Sequence, residues 1–123
     1  MKLKHDTKYM LCKINREAGE IQLHKRVAEG AGQATYEQFV AELPPKEGMY
    51  AIYDFDYETD EGGKRNKLMF IVWAPDDAPI KEKMLYASSK DGLKKKIVGI
   101  QWEVQGTDYE EVEFAEIVNK FAK

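Results

Sequence analysis

Cysteine is nearly absent from these 123 residues, and Cys12 stands alone. A single thiol excludes an internal disulfide, and with no Cys-x-x-Cys pair or Cys/His cluster there is no zinc arrangement. Such sparing cysteine use suits a reducing compartment such as the cytoplasm. Histidine is as scarce: His5 and His24 sit in unrelated polar settings, with no placed partner of the kind a general base needs. No apolar run approaches the roughly 20 residues of a membrane-spanning helix. Met1-Lys2-Leu3-Lys4-His5-Asp6 has no apolar segment of a secretory signal. Phosphate-binding, dinucleotide-binding and nucleophile-elbow glycine motifs are all missing. Asp54-Phe55-Asp56-Tyr57-Glu58 resembles the start of a calcium loop, but Thr59 stands where glycine is needed and Arg65 where a bidentate Glu is needed. No enzyme, metal or cofactor is expected on these grounds. A basic excess is lacking too: 19 Lys and Arg against 22 Asp and Glu give a net charge of −3, which argues against a nucleic-acid partner.

What remains reads as one soluble domain over residues 1–123, with 43% hydrophobic and 33% charged residues. The charge is segregated. Ile80 to Val98 holds six lysines and two acids, whereas Ile97 to Asn119 holds six acids and no basic residue. Such a chain can offer a basic face to an acidic partner despite its balance.

Along the chain, Tyr9 to Ile14 predicts a strand, Asn15 to Gly19 a turn, and the alternation around Ile21 and Leu23 a second strand. Thr35-Tyr36-Glu37-Gln38 has capping-box spacing. The helix it opens carries Tyr36, Phe39, Val40 and Leu43 on one face and ends at Pro44-Pro45. Met49 to Tyr57 alternates as a strand, and the nearly all-apolar Lys67 to Trp73 predicts a central strand covered on both faces. Glu58 to Asn66 predicts the hairpin loop between them. Ile80 to Val98 allows either one long helix bent near Ser88-Ser89 or a short strand followed by a helix, with Gly99 as the stop. Ile100, Trp102 and Val104 alternate with polar residues as a last strand. Val112, Ile117, Val118 and Phe121 mark a C-terminal helix. Cys12, inside an apolar strand, is expected to be an inert buried thiol. At about 100° per residue, Lys90 and Lys94 flank the buried stripe of the long segment while Lys95 points away. Lys81, Lys83 and Met84 extend this into a basic ridge with a flexible thioether, which suits protein docking.

Trp73-Ala74-Pro75-Asp76-Asp77-Ala78-Pro79-Ile80-Lys81-Glu82-Lys83-Met84-Leu85-Tyr86-Ala87-Ser88-Ser89-Lys90-Asp91 closely resembles the signature of the actin-depolymerising factor/cofilin family. So do Tyr50 to Tyr57 and Gln105-Gly106-Thr107-Asp108. The resemblance implies an α/β (α+β) ADF-homology domain, a mixed sheet of five or six strands sandwiched between helices, with Pro79 to Val98 as one long bent helix. It implies a monomeric cytoplasmic, cytoskeletal protein that binds actin monomers and filaments, prefers ADP-bound subunits, and twists and severs filaments. Monomer and filament binding would use Lys81, Lys83, Met84, Ser89, Lys90, Lys94 and Lys95. Filament-specific binding would use Arg65, Lys67, Lys120 and Lys123. Phosphoinositide headgroups would meet Lys81, Lys83, Lys94, Lys95 and Lys96. A non-severing relative of the same fold and a phosphoinositide-binding module are the alternatives. Met1 to Lys4 matches only the end of the family's first helix. That shortfall predicts exposure of part of the strand Lys67 to Trp73, and it leaves no family phosphorylation serine to assign.

Overall fold

The structure, a computed structural model, describes residues 7–15, 17, 19–28, 36–59 and 61–122. Among these residues, five strands form one sheet in the order β2-β1-β3-β4-β5. These are β1 (Thr7–Asn15), β2 (Glu20–Ala28), β3 (Met49–Glu58), β4 (Lys64–Trp73) and β5 (Trp102–Gly106). All neighbours are antiparallel except β4 and β5, which run parallel and so need a long crossover. Helix α2 (Ile80–Lys94) supplies it.

The period-two alternation of side chains divides the core. Odd positions of the central strands, Tyr9, Leu11, Ala51, Tyr53, Phe55, Met69, Ile71 and Trp73, face α1 (Tyr36–Ala41) and the C-terminal segment. Even positions, Met10, Cys12, Tyr50, Ile52, Phe70 and Val72, face α2 through Tyr86 and Leu93. The strand Lys67 to Trp73 is therefore covered on both faces, as its composition predicts. Met69 to Trp73 are all buried, and only Lys67 and Leu68 are partly open. The predicted exposure of this strand is corrected: α2 and the segments of the opposite layer already cover its apolar half.

Other boundaries shift for local reasons. Lys64 pairs with Glu58, so the hairpin ladder runs on into the charged residues and the loop contracts to 59–63. Gly62, at φ 85, donates its N–H to Thr59 O at 2.9 Å to close that turn. Of the two readings of Ile80 to Val98, the long helix is the one present. It ends at Lys94, four residues earlier than Val98, with Gly99 at φ 93 in the turn that follows. The Ser88 hydroxyl donates back to Leu85 O at 3.2 Å. Helix α1 ends at Ala41, ahead of Pro44-Pro45, but Leu43 is still buried beside Phe39. The Thr35 cap lies outside the described residues. In place of one C-terminal helix there is a 3₁₀ turn (Tyr109–Val112), then α3 (Phe114–Ile117), then a π turn (Val118–Ala122). Val112 and Ile117 are buried by them.

The motif Gln105-Gly106-Thr107-Asp108 is structural. A Cβ on Gly106 would lie 2.9 Å from Val112 Cγ1 and 3.0 Å from Trp73 Cε3. Asp108 caps the 3₁₀ turn, its carboxylate accepting from Glu111 N at 3.0 Å.

Tyr86 anchors α2 to the sheet. The β1–β3 ladder stops at Cys12 and Tyr50, and just beyond it the Ile14 N–H donates to the Tyr86 hydroxyl at 3.0 Å. Tyr50 in turn donates its hydroxyl to Tyr86 O at 2.5 Å. The Tyr86 ring lies against the backbone of Gly48, where an added Cβ would overlap its inner ring carbons. Those carbons cannot swing aside, so Gly48→Ala should destabilise the fold by about 1–3 kcal/mol. A thermal melt should show a drop of several degrees, and an unchanged melt would refute this account of the α2–sheet seam.

Candidate functional site

The outer face of α2 follows from what the helix buries. Turning at about 100° per residue, Tyr86, Leu93 and Lys90 fall within about 60° of one another, whereas Met84 and Lys95 point together in nearly the opposite direction. Ile80 and Met84 are accordingly 71% and 66% exposed. They are two large apolar side chains held out in water one turn apart on the same side of the helix. Sequence reasoning selected Met84 and passed over Ile80, although the two share a helical face. The missing signal was which of the helix's two rotated apolar faces lies on the sheet.

The lysines behave differently from one another. The side chains of Lys81 and Lys95 are exposed and make no ion pair or hydrogen bond to a described residue. Lys83 reaches back to the loop before the helix and donates to Asp76 O at 3.3 Å. Lys96 is exposed beyond the helix end, and Ser89 is half-buried. Lys81, Ser89 and Lys96 line one groove with Ile14, Ile21 and Leu85, a cavity of about 750 Å³ between α2 and the β1–β2 turn.

Lys90 and Lys94 lie on the opposite flank of the helix and are not free. Both reach Glu103 on β5, Lys90 Nζ at 3.3 Å from one carboxylate oxygen and Lys94 Nζ at 2.8 Å from the other. Glu103 is opposite Phe70 in the ladder, so it faces the layer that α2 covers. Its alternation with Trp102 and Val104 suggests a solvated face, and the helix above makes it a seam instead. The Lys94 ammonium, assisted by Lys90 and opposed by partial burial, holds the Glu103 carboxyl below the usual carboxylate range. Glu103 raises the Lys94 pKa in return.

The second set of predicted residues is on the other side of the sheet. Arg65 and Lys67 share the odd register of β4 with Met69, Ile71 and Trp73, opposite Tyr57 and Phe55. Arg65 is exposed and lines a cavity of about 780 Å³ with Asp56, Tyr57, Lys64, Phe114 and Val118. Lys120 is exposed on the C-terminal π turn packed against this same layer. Lys123 lies outside the described residues. The predicted residues thus form two surfaces on opposite layers of the sheet.

The chain and its fold have known counterparts. The sequence matches the family described as cofilin/tropomyosin-type actin-binding protein over residues 1–122. The chain belongs to this family. It is 46% identical to the cofilin of Mycosarcoma maydis over 123 residues, which span 100% of this chain and 86% of that protein. It is 48% identical to actophorin of Acanthamoeba castellanii over 112 residues, 91% of this chain and 78% of that one. Its fold resembles the crystal structure of Streptomyces griseoflavus cofilin with a TM-score of 0.83 and 43% identity, covering 94% of this chain and 82% of that chain. The members are actin-binding proteins rather than enzymes, as the lack of catalytic motifs led us to expect.

Chemistry elsewhere is quiet. Among the described residues no group of His, Cys, Asp and Glu could hold a metal ion. No described helix is long and apolar enough to cross a membrane. Cys12 is buried, and that burial pushes its thiol up to about 11. The native thiol should therefore react with an aromatic disulfide reagent at pH 8 at least about 10-fold more slowly than in the denatured chain. Equal rates would refute its burial. Glu103 should titrate below the ordinary carboxylate midpoint. Its ion pairs favour the fold at neutral pH, and this contribution is lost as pH falls from the ordinary carboxylate value through the lowered folded-state value. A side-chain NMR titration with a midpoint at or above 4.5 would contradict the pairing.

Proposed function

We propose that this chain binds actin monomers and the sides of actin filaments and promotes filament severing and depolymerisation. The observation that carries this reading is the division of the predicted residues between two layers. One surface, on α2, projects Ile80 and Met84 with the cation Lys81 beside them, and Lys95 follows on the same side about three turns further along. Ser89 lies beside it, Lys83 at its start, and Lys90 and Lys94 along its flank. The other, on the opposite layer, offers Arg65, Lys67 and Lys120, with Lys123 assigned to it from sequence. A monomer needs only the first surface, with the apolar pair entering a cleft and lysines meeting acidic groups around it. A filament side presents neighbouring subunits, and both surfaces can then be used at once. Two-site attachment multiplies affinity through effective concentration. Engaging two subunits in a fixed relative orientation is also a means of straining the contact between them.

The working form is a monomer in the cytoplasm, at the cytoskeleton. Phosphoinositide headgroups would compete at Lys81, Lys83, Lys94, Lys95 and Lys96. Supporting this is the groove along α2 that Lys81 lines near one end and Lys96 near the other.

Cosedimentation, monomer titration and filament imaging test the reading together. The parent chain should decorate and shorten ADP filaments at micromolar concentration. Ile80→Asp/Met84→Asp should weaken monomer and filament binding alike by at least about 10-fold, since each loses about 1.5 kcal/mol or more of apolar burial. Arg65→Ala/Lys67→Ala should weaken filament binding and spare the monomer. A parent chain that leaves filaments unaltered would refute severing. Binding to filament sides without shortening would indicate a non-severing relative, and binding to anionic vesicles alone would indicate a lipid-binding module.

A further inference from the structure

We propose that Glu103 is a positioning residue that withholds Lys90 and Lys94 from the basic surface of α2 and so limits how strongly that surface attracts an acidic partner. This rests on the reading of α2 as the actin-facing surface. Three observations support it. Glu103 is the acid that the parallel strand β5 places beneath α2, and its two oxygens are divided between two lysines one helical turn apart. Its Oε1 is out of contact with solvent and lies 2.8 Å from Lys94 Nζ, a charge-assisted contact made away from water. The side chains of Lys90, Lys94 and Glu103 are 23%, 43% and 26% exposed, whereas Lys81 and Lys95 stand clear on the outer face.

The consequence is electrostatic. Lysines in this segment outnumber acids six to two, but two of the six share a carboxylate that lies outside the segment. An acidic partner reaching Lys90 or Lys94 must compete with Glu103 for them or accept a reduced field. Removing the carboxylate adds one unit of positive charge and frees both ammonium groups. Association with an acidic surface should then tighten, most strongly at low ionic strength, where such attraction is least screened.

Glu103→Gln keeps the side chain's size and removes its charge, leaving one acceptor oxygen where the carboxylate has two. The first measurement needs no partner. In limited acylation of the free protein read by mass spectrometry, Lys90 and Lys94 should react about 3-fold or more faster in Glu103→Gln than in the parent. Lys81 and Lys95 serve as unchanged internal standards, and Glu103→Asp should restore protection at least in part. The second measurement is filament cosedimentation over a salt series. Glu103→Gln should bind about 3- to 10-fold more tightly at low salt, with a steeper loss of binding as salt rises. Unchanged acylation of Lys90 and Lys94 overturns the clamp. Faster acylation with weaker filament binding overturns its restraining role, because Glu103 would then be aligning the lysines for the partner. A parent chain that binds no actin refutes the functional reading, and the acylation result still decides whether the clamp exists.

Discussion

The two-sided burial of β4 is the constraint on which the rest of the molecule depends. Met69 to Trp73 are buried one after another, alternately on each face. Each such side chain contributes about 1.5–3 kcal/mol when withdrawn from water. Neither face of the central sheet can then be left open. A strand whose two faces are both apolar must have a layer on each, and its parallel neighbour β5 can be reached only by a crossover. Helix α2 meets both demands, as the crossover and as the cover of the even face. Its outward side is left over, and that leftover side carries Ile80, Lys81, Met84 and Lys95.

The same constraint explains why the candidate surfaces are separate. No polar group that must meet a partner can sit in the middle of this sheet. Charged residues are admitted where strand ladders run past the core, as at Lys64 to Lys67, or on the outsides of the covering layers. Since the layers lie on opposite faces, a protein that uses both of their outer surfaces has two contact sites facing apart. Affinity for a repeating partner is then a product of geometry as much as of residue chemistry. A monomeric partner and an assembled one are distinguished by how many of the sites they can fill.

Much of this was legible in the residues. Alternation marked β3, an unbroken apolar run marked β4, and the long motif through Ser88-Ser89 carried the family resemblance and with it the long helix. What could not be read was orientation about that helix's axis. Ile80 with Met84 and Leu93 with Ile97 are equally apolar, and only Tyr86, fixed by Ile14 N and Tyr50, decides which pair is inside. The same gap concealed Glu103. On β5 it alternates with Trp102 and Val104 like any solvated acid, and its burial depends on a helix that begins more than twenty residues earlier. Ladder ends were missed for a related reason. Charged residues at the β3–β4 turn continue to pair through their backbones, whatever their side chains suggest about a loop.

Net charge was the least informative property of the chain, and the structure explains why. The total of −3 conceals a lysine-rich helix and an acid-rich C-terminal stretch, but even that division misstates the field a partner meets. Lys83 is turned back toward the loop at Asp76, and Lys90 and Lys94 are turned toward Glu103. Ion pairs this accessible contribute little to stability, so their effect lies mainly in where they point the cations. A helix with every lysine free would attract any polyanion with little regard to its shape. Holding three of them close to the protein leaves Lys81 beside the apolar pair Ile80 and Met84, with Lys95 and Lys96 just past the far end of the helix. A partner must then supply an apolar cleft with acids placed around it, and that combined demand is more selective than charge alone.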